Sequence, residues 1–231
     1  MSACHETPQR SPVSARLPVI ALAGNPNCGK TTLFNLLTGA HQHVGNWPGV
    51  TVERRSGTMT MGRRKISVVD LPGVYSLMGG GGEDQRVARD FLLDSDIELI
   101  VNIVDASNLG RHMALTSELL ETGRPMVLVL NMVDEAETHG LQIRSHELSA
   151  ALGVPVIPMV ARKAKGRTRL VETLTQALDH PALGNMLDYG QRIEAALTAL
   201  GTLLPGVPAA HRRFKALCLL ERNNDPTDPK T

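Results

Sequence analysis

The chain contains few aromatic residues and few cysteines. Phe, Trp and Tyr make up 3% of its 231 residues, so aliphatic side chains must fill the core that a hydrophobic content of 42% allows. Cys4, Cys28 and Cys218 lie far apart in sequence and lack the spacing of a metal site, which is consistent with a reducing compartment. The length is sufficient for one full domain and a small second one.

The sequence also lacks an excess of either charge and long apolar runs. Its 24 basic and 23 acidic residues leave a formal net charge of +1, which gives no overall electrostatic reason to expect binding to nucleic acid or to a membrane surface. No apolar run approaches the ~20 residues that a membrane-spanning helix needs. Residues 1–16 are polar and have no apolar stretch typical of a secretory signal, so we expect a disordered N-terminal tail.

One glycine-containing loop carries the most informative motif. Residues 24–31 fit G-x-x-x-x-G-K-[ST], the phosphate-binding P-loop, between an apolar run at 18–23 that predicts a buried strand and a segment at 32–37 that predicts a helix. Such a loop points backbone N–H groups and the positive end of the helix dipole at phosphates. Lys30 can then reach the β- and γ-phosphates, and the Thr31 hydroxyl can ligate Mg²⁺. The motif predicts a nucleoside triphosphate site formed by Gly24, Asn25, Pro26, Asn27, Cys28, Gly29, Lys30, Thr31 and Thr32.

Strands and helices alternate after this loop. Nearly continuous aliphatic strands separated by helices are typical of a mainly parallel sheet covered on both faces, with the ligand at the carboxyl ends of the strands. We therefore predict one doubly wound α/β domain over residues 17–180. Its later strands are expected at 51–60, 65–70, 99–105, 125–131 and 154–159, and its later helices at 83–93, 113–121, 145–152 and 168–178.

No strand signal follows residue 180. Residues 191–204 place apolar side chains at helical spacing, and residues 214–221 predict a second helix. Two helices bury little surface by themselves. Residues 181–231 are therefore interpreted as a helical segment, either docked on the α/β domain or truncated, and we expect truncation.

Two segments after the P-loop are placed to sense the γ-phosphate. Thr51 lies between the first helix and the second predicted strand, where its hydroxyl can ligate Mg²⁺, and Gly49 and Val50 precede it. Asp70 and Gly73 end a strand and match D-x-x-G, so Asp70 can hold Mg²⁺ through water and the Gly73 N–H can contact the γ-phosphate. Asp70 alone could be an ordinary strand-end cap, but the order of these motifs after a P-loop predicts a GTPase.

The identity of the base is predicted by two later segments. Asn131 and Asp134 end a strand and match N-x-x-D, with Met132 in place of the usual lysine. The Asp134 carboxylate can accept hydrogen bonds from guanine N1–H and from its exocyclic amine, whereas adenine would leave the carboxylate unpaired. The backbone N–H that binds guanine O6 is expected from the residues that follow the last strand, Val160, Ala161 and Arg162.

Together these segments resemble the N-terminal cytosolic G domain of the bacterial ferrous iron transport protein FeoB. The resemblance covers residues 17–221, but the loop at 159–169 is rich in Lys and Arg and fits the family pattern loosely, and the helical domain is short. The similar segments are the P-loop with the first helix, switch I, switch II, the N-x-x-D segment and one helix of the family's helical domain, at residues 24–35, 44–53, 70–77, 131–134 and 212–221.

The resemblance implies a Ras-like fold and a slow, Mg²⁺-dependent and K⁺-activated GTPase that regulates ferrous iron transport. By similarity, K⁺ would be held by the Asn27 side chain and by the backbone carbonyls of Gly45 and Trp47; Asn27 could alternatively only cap the P-loop turn. The full-length protein would include a membrane-embedded partner domain, with this chain as a soluble fragment on the cytoplasmic side of the bacterial inner membrane. The family's helical domain is associated with slowing GDP release. A homo-oligomer is left open, and no nucleic-acid partner is expected.

Hydrolysis is expected to be slow. Val74 directly follows D-x-x-G, where Ras-like proteins place a glutamine that orients water, and no arginine finger is evident. The catalytic contributions are expected from Asn27, Lys30, Thr51 and Gly73. Two other functions remain open. One is a GTP-dependent binding switch that uses turnover only as a timer; the other is a soluble ribosome- or tRNA-linked GTPase, which the near-neutral charge opposes.

Four residues in or near these motifs are assigned no metal-binding, redox or catalytic role. His41 and His43 flank switch I without a neighbouring carboxylate or cysteine, so they are interpreted as solvated rather than as Fe²⁺ ligands. Cys28 is interpreted as a small residue tolerated in the P-loop rather than as a redox switch. Asp105, at a strand end, is interpreted as structural.

Overall fold

The computed structural model describes residues 16–79 and 81–222. Apart from Arg16, the N-terminal tail expected at residues 1–16 lies outside the described residues, and so do Gly80 and residues 223–231. Within the described ranges the chain forms one sheet with helices on both faces.

The sheet has seven strands in the order β2-β3-β4-β1-β5-β6-β7. β1 pairs in parallel with β4 and β5, and β5, β6 and β7 continue the parallel part, whereas β2 and β3 are antiparallel to their neighbours. The predicted mixed, mainly parallel α/β sheet is confirmed. The strands are β1 Val19–Gly24, β2 Gln42–Asn46, β3 Glu53–Met61, β4 Arg64–Asp70, β5 Leu99–Asp105, β6 Met126–Asn131 and β7 Val156–Pro158.

Helices connect the parallel strands and continue after the sheet. No helix in the described part of the chain is long and apolar enough to cross a bilayer. The α-helices are α1 Lys30–Thr38, α2 Glu83–Asp94, α3 Leu109–Glu121, α4 Val133–Thr138, α5 Ser145–Leu152, α6 Arg167–Asp179, α7 Gln191–Thr202 and α8 Ala209–Arg222. Short 3₁₀-helices span Ala106–Asn108 and Ala161–Lys163.

Two elements were not predicted. β2 contains one aliphatic residue, Val44, and most of its residues are exposed, so the segment has no apolar pattern, and its strand conformation is defined by pairing with β3. α4 has six residues directly after the N-x-x-D asparagine and Met132, too few for a helical period to be recognised. In addition, α3 begins at Leu109 rather than at residue 113, and β3 begins at Glu53 rather than at residue 51.

The apolar core lies on both faces of the sheet, because successive strand residues point to opposite faces. Ile20 and Leu22 of β1 pack with α1 and α6, whereas Ala21 and Ala23 pack with α2 and α3. These two clusters fix the helices against the sheet, where the carboxyl ends of β4, β1 and β6 lie at the same end, with β5 between β1 and β6. The predicted site residues lie at those ends.

α7 and α8 dock on the end of α3. Glu121, the last residue of α3, is fully buried; it accepts a 3.1 Å hydrogen bond from the Leu187 N–H and forms an ion pair with Arg213 of α8. Arg213 also pairs with Glu194 of α7 at 2.6 Å. Phe214 of α8 is fully buried in the same core cluster as α3. α8 therefore shares a core cluster with the α/β sheet through Phe214, whereas Leu197 of α7 packs with Ala216 and Leu217 of α8 in a separate cluster.

Candidate nucleotide-binding site

The P-loop connects β1 to α1 and packs tightly on the neighbouring strand ends. Gly29 has φ of 89°, in the left-handed region that glycine favours, and a Cβ there would lie 2.2 Å from the Asn131 Nδ2 atom. At Gly24 a Cβ would lie 2.5 Å from the carbonyl oxygen of Ile103. Asn27 also has positive φ, 66°, which asparagine tolerates better than most residues. Glycine is therefore required at both ends of the P-loop motif.

Lys30 and Asp70 form a direct ion pair at the centre of the site. The Lys30 Nζ lies 2.6 Å from Asp70 Oδ1, and the side chains are 11% and 5% exposed. The P-loop cation and the carboxylate of D-x-x-G, predicted to hold phosphate and Mg²⁺ respectively, are thus brought together and neutralise each other. A metal ion bound at Asp70 would compete with Lys30 for this carboxylate, and a phosphate would offer Lys30 another partner.

Asn131 connects the P-loop to the loop after β7. Its side chain is 3% exposed, donates from Nδ2 to the Cys28 carbonyl at 2.9 Å and accepts at Oδ1 from the Ala161 N–H at 3.0 Å. A single amide therefore sets the distance between the P-loop and the loop after β7. Cys28 itself is buried, and desolvation raises the pKa of its thiol to about 11, so the neutral thiol is the stable form.

Asp134 lies in the first turn of α4, where it has two cationic partners. Its Oδ2 accepts 2.9 Å hydrogen bonds from Lys163 Nζ and from Arg162 Nη2, and these bonds lower the pKa of Asp134 to about 2. The Oδ1 atom is buried and has no hydrogen-bond partner among the described residues. The carboxylate is therefore ionised at neutral pH, with one oxygen occupied by two cations.

Met132 precedes α4 and has positive φ, 60°. Its Cε lies 3.8 Å from the position that a Cβ on Gly29 would occupy. The thioether thus lies over the P-loop at Gly29.

Switch I lies along the sheet edge rather than against the P-loop. Gly45 pairs with Arg54 across β2 and β3, and the Trp47 carbonyl accepts the Val50 N–H at 3.3 Å. The exposed Thr51 hydroxyl donates to Glu83 at 3.2 Å. In the part of the chain that the structure describes, none of these residues has a hydrogen bond to Lys30 or Asp70. In this arrangement the Thr51 hydroxyl therefore pairs with α2 through Glu83.

Trp47 anchors switch I on α2. It is 7% exposed, its ring meets Phe91 edge-on with centroids 5.0 Å apart, and the Arg54 guanidinium lies 4.9 Å over its centre. A cavity of about 710 Å³ separates residues 47–50 from α2. The segment is thus attached to α2 by the Trp47 ring and by the Thr51–Glu83 hydrogen bond, next to open space.

Switch II is held at both ends. A Cβ on Gly73 would lie 3.2 Å from Pro26 of the P-loop, and the Val74 N–H donates to the Gly24 carbonyl at 3.3 Å. Further along, Glu118 of α3 accepts a 2.7 Å hydrogen bond from the Ser76 hydroxyl and another from the Leu77 N–H. Desolvation raises the pKa of Glu118. The Val74 side chain is 8% exposed, belongs to the core and has no polar atom, so it cannot orient a water molecule.

The donor atoms present fit a Mg²⁺ ion bound together with a triphosphate. Thr31, exposed at the start of α1, and the Asp70 carboxylate supply hydroxyl and carboxylate oxygens, which Mg²⁺ prefers along with phosphate and water. Across the described ranges no three His, Cys, Asp or Glu side chains are grouped to hold a metal ion. His43 lies within β2 and is exposed, as is the preceding His41.

Sequence reasoning did not find every residue of the site. Lys163 and Glu83 carry no motif, and their partners are 29 and 32 residues away in sequence. Glu118 carries no motif either, because only the fold brings switch II into contact with this residue of α3. The Lys- and Arg-rich loop after β7 was the available signal for Lys163, since it departs from the usual pattern of that loop. Asp105 accepts hydrogen bonds from the Ser107 backbone and hydroxyl, which is a structural cap.

The fold and the site together define a Ras-like G domain. The defining features are the strand order, the P-loop, and the D-x-x-G and N-x-x-D segments at the carboxyl ends of the strands. A family model described as "Ferrous iron transport protein B" matches residues 18–174. The chain therefore belongs to the FeoB N-terminal family.

Known relatives agree with this assignment. The Fe(2+) transporter FeoB of Shigella flexneri is 44% identical over 209 residues, which cover 87% of this chain and 26% of that protein. The chain thus spans about a quarter of the length of this curated relative. A GDP-bound mutant of S. thermophilus NFeoB has a TM-score of 0.81 at 42% identity, covering 89% of this chain and 80% of that one. The cytosolic domain of the T. maritima FeoB iron transporter in its GMPPNP form has a TM-score of 0.81 at 35% identity, covering 90% and 83%.

Proposed function

We propose that this chain binds GTP and hydrolyses it slowly, as the regulatory domain of a ferrous iron transporter. The observation that carries the proposal is the Asn131 bridge, which places the base-recognising Asp134 segment, the loop after β7 and the P-loop in one frame. The similar proteins whose structures are described with GDP and with GMPPNP support guanine nucleotides as the ligand.

Each part of the nucleotide has a proposed partner. The P-loop N–H groups and Lys30 bind the phosphates, and Asp134 accepts the guanine N1–H and amine. Among the three candidates for guanine O6, the Val160 N–H donates to Lys165 and the Ala161 N–H donates to Asn131, each at 3.0 Å. The N–H of Arg162 is therefore our proposed O6 donor.

Mg²⁺ would be held by Thr31, Asp70 and Thr51, and it supplies positive charge that stabilises the transferring phosphoryl group. Thr51 must leave Glu83 to join the other two, and Lys30 must leave Asp70. The hydrolysis-competent site therefore forms only when contacts with a triphosphate compensate for the loss of both the Thr51–Glu83 and the Lys30–Asp70 contacts.

K⁺ would take the place of the missing arginine finger. We propose that the Asn27 side chain and the carbonyls of Gly45 and Trp47 hold it beside the phosphates, where it stabilises charge developing in the transition state. The Trp47 carbonyl has to give up the Val50 N–H for this role. Val74 cannot orient water, so intrinsic turnover is slow even with the cation.

The proposal assigns transport itself to the remainder of a longer protein, because the chain spans only 26% of its Shigella relative. A membrane-embedded domain of that protein is the proposed partner, which places this chain on the cytoplasmic side of the bacterial inner membrane. We propose residues 17–180 as the G domain and the residues from 181 onward as the helical segment that slows GDP release.

A conformational output is supported by one further observation. On α3, Glu118 holds switch II and Glu121, one turn later, holds Leu187 and Arg213 of the helical segment. A nucleotide-dependent movement of switch II therefore has a direct path to the helical segment. The second candidate function is accordingly a binding switch timed by hydrolysis.

Turnover measured with GTP or ATP, in K⁺ or Na⁺ at matched ionic strength, tests the main proposal. We expect GTP to be preferred and K⁺ to stimulate, and we expect Asn27→Ala to lose the stimulation while GDP affinity is largely retained. Asn35→Ala, an exposed asparagine on α1, is the control. Equal use of GTP and ATP would contradict guanine selectivity, and equal turnover in K⁺ and Na⁺ would contradict the cation mechanism.

A further inference from the structure

The loop after β7 presents Arg162 and Lys163 to Asp134 from a fixed turn. The turn begins with the Ala161 N–H bound to Asn131 and ends at Ala164, whose φ is 54°. Val160 and Lys165 form a backbone bridge across its base. The two cations, which we call the cation pair, therefore contact the carboxylate from a structured position.

The cation pair occupies the acceptor that guanine needs. A carboxylate oxygen has about two lone-pair sites, and Asp134 Oδ2 already accepts one hydrogen bond from each cation. Guanine offers two donors, N1–H and the exocyclic amine, to the two oxygens of one carboxylate. The buried Oδ1 has no partner and can accept one of them once the groups that cover it move, but the other must displace a member of the cation pair.

We propose that Arg162 and Lys163 compete with guanine for Asp134 and so set both the affinity and the base selectivity of this site. The inference rests on the proposed guanine-nucleotide function. The cation pair stabilises the nucleotide-free state, because Asp134 there is already paired. Its loss therefore tightens the binding of guanine nucleotides.

The same competition lowers base selectivity. A base that lacks the exocyclic amine, such as hypoxanthine, leaves one carboxylate oxygen without a donor, and such a loss is costly when the oxygen is unpaired. With the cation pair present, the cations remain bound to that oxygen. The missing amine then lowers the binding affinity less. Removing the pair should increase the preference for GDP over IDP.

General electrostatics predicts the opposite sign. Removing two positive charges near a diphosphate weakens its binding, so tighter binding in a variant cannot come from long-range charge. Lys165 and Arg169 lie in the same Lys- and Arg-rich segment and have no ion pair with Asp134 among the described residues. They provide a charge-matched control.

Calorimetric titration of the full chain with GDP, IDP and ATP tests the proposal, using R162Q/K163Q and the control K165Q/R169Q. From the strength of exposed ion pairs we expect R162Q/K163Q to bind GDP about three- to tenfold more tightly, with a larger GDP-to-IDP affinity ratio, while the control binds GDP no more tightly than the unmodified chain. High salt should narrow the difference between R162Q/K163Q and the unmodified chain.

Two outcomes overturn the inference in distinguishable ways. If the unmodified chain prefers GDP to ATP but R162Q/K163Q binds GDP no more tightly than the control variant, the competition is absent while the proposed function stands. If the unmodified chain does not prefer GDP to ATP, the proposed function fails, and this inference fails with it.

Discussion

Replacing Asn131 by alanine should destabilise the protein and separate its two nucleotide loops. The amide is 3% exposed, and its two hydrogen bonds connect the Cys28 carbonyl of the P-loop with the Ala161 N–H after β7. Alanine fills neither role, and the surrounding strand ends give water little access to the groups left behind.

The magnitude follows from the two groups that lose their partner. An unsatisfied buried backbone group costs about 1–3 kcal/mol, so we expect Asn131→Ala to lower the free energy of unfolding by about 3 kcal/mol. With a urea m-value of about 2–3 kcal/mol per molar for a chain of this size, the unfolding midpoint should fall by about 1 M.

Urea unfolding followed by circular dichroism measures this change, with two comparison variants. Asn131→Asp keeps the acceptor for the Ala161 N–H but places a carboxylate against the Cys28 carbonyl, so it should also destabilise. Asn102→Ala removes an equally buried asparagine from the next strand, where the side chain has one hydrogen bond, 2.7 Å to Thr116. Asn102→Ala should lower the free energy of unfolding less than Asn131→Ala does. An Asn131→Ala midpoint within about 0.2 M of the unmodified chain, or a smaller loss than for Asn102→Ala, would refute the bridging role.

Three further predictions concern other parts of the molecule. Phe214→Ala should lower stability by about 3–5 kcal/mol in urea unfolding because the ring is fully buried, whereas Leu203→Ala, at a side chain 74% exposed, should have little effect; equal losses would contradict docking of the helical segment. Asp134→Asn should exchange guanine for xanthine specificity in calorimetry with GDP and XDP, and undiminished GDP binding would contradict the assigned role. Hydrogen bonds from Arg213 lower the pKa of Glu194 from 4.5 to about 2. The contribution of Glu194 to stability is therefore present above pH 4.5 and is lost as the pH falls toward 2. Glu194→Gln should flatten this dependence of stability on acid pH, and an unchanged pH profile would count against the ion pair.

The sheet and the P-loop could be predicted because short segments of the sequence are sufficient to indicate them. β1 and β6 are apolar runs, and each ends in a residue that a motif requires, Gly24 and Asn131 respectively. β2 could not be predicted in this way, since an exposed edge strand with one aliphatic residue is defined by its hydrogen-bonded neighbour rather than by burial.

The candidate site likewise has one part that could be predicted from the sequence and one part that could not. The motifs predicted residues at the carboxyl side of the strands, and the structure places Asp70 and Asn131 at strand ends and Lys30 and Asp134 at the starts of the helices α1 and α4. Their present partners could not be predicted, because motifs describe the contacts made with a nucleotide. The ion pairs of Lys30 with Asp70 and of Asp134 with the cation pair are contacts that this ligand would replace.

The scarcity of aromatic residues gives switch I its own spectroscopic signal. Trp47 is the only tryptophan of the chain, and it lies in the segment proposed to close over the triphosphate. Its indole is buried against Phe91 beneath the Arg54 guanidinium, with no hydrogen-bond partner for Nε1 in the described structure. When switch I leaves the sheet edge, the ring loses this apolar contact and water reaches it, which shifts indole fluorescence to longer wavelength. Tryptophan emission from the unlabelled chain therefore follows the position of switch I through a nucleotide cycle.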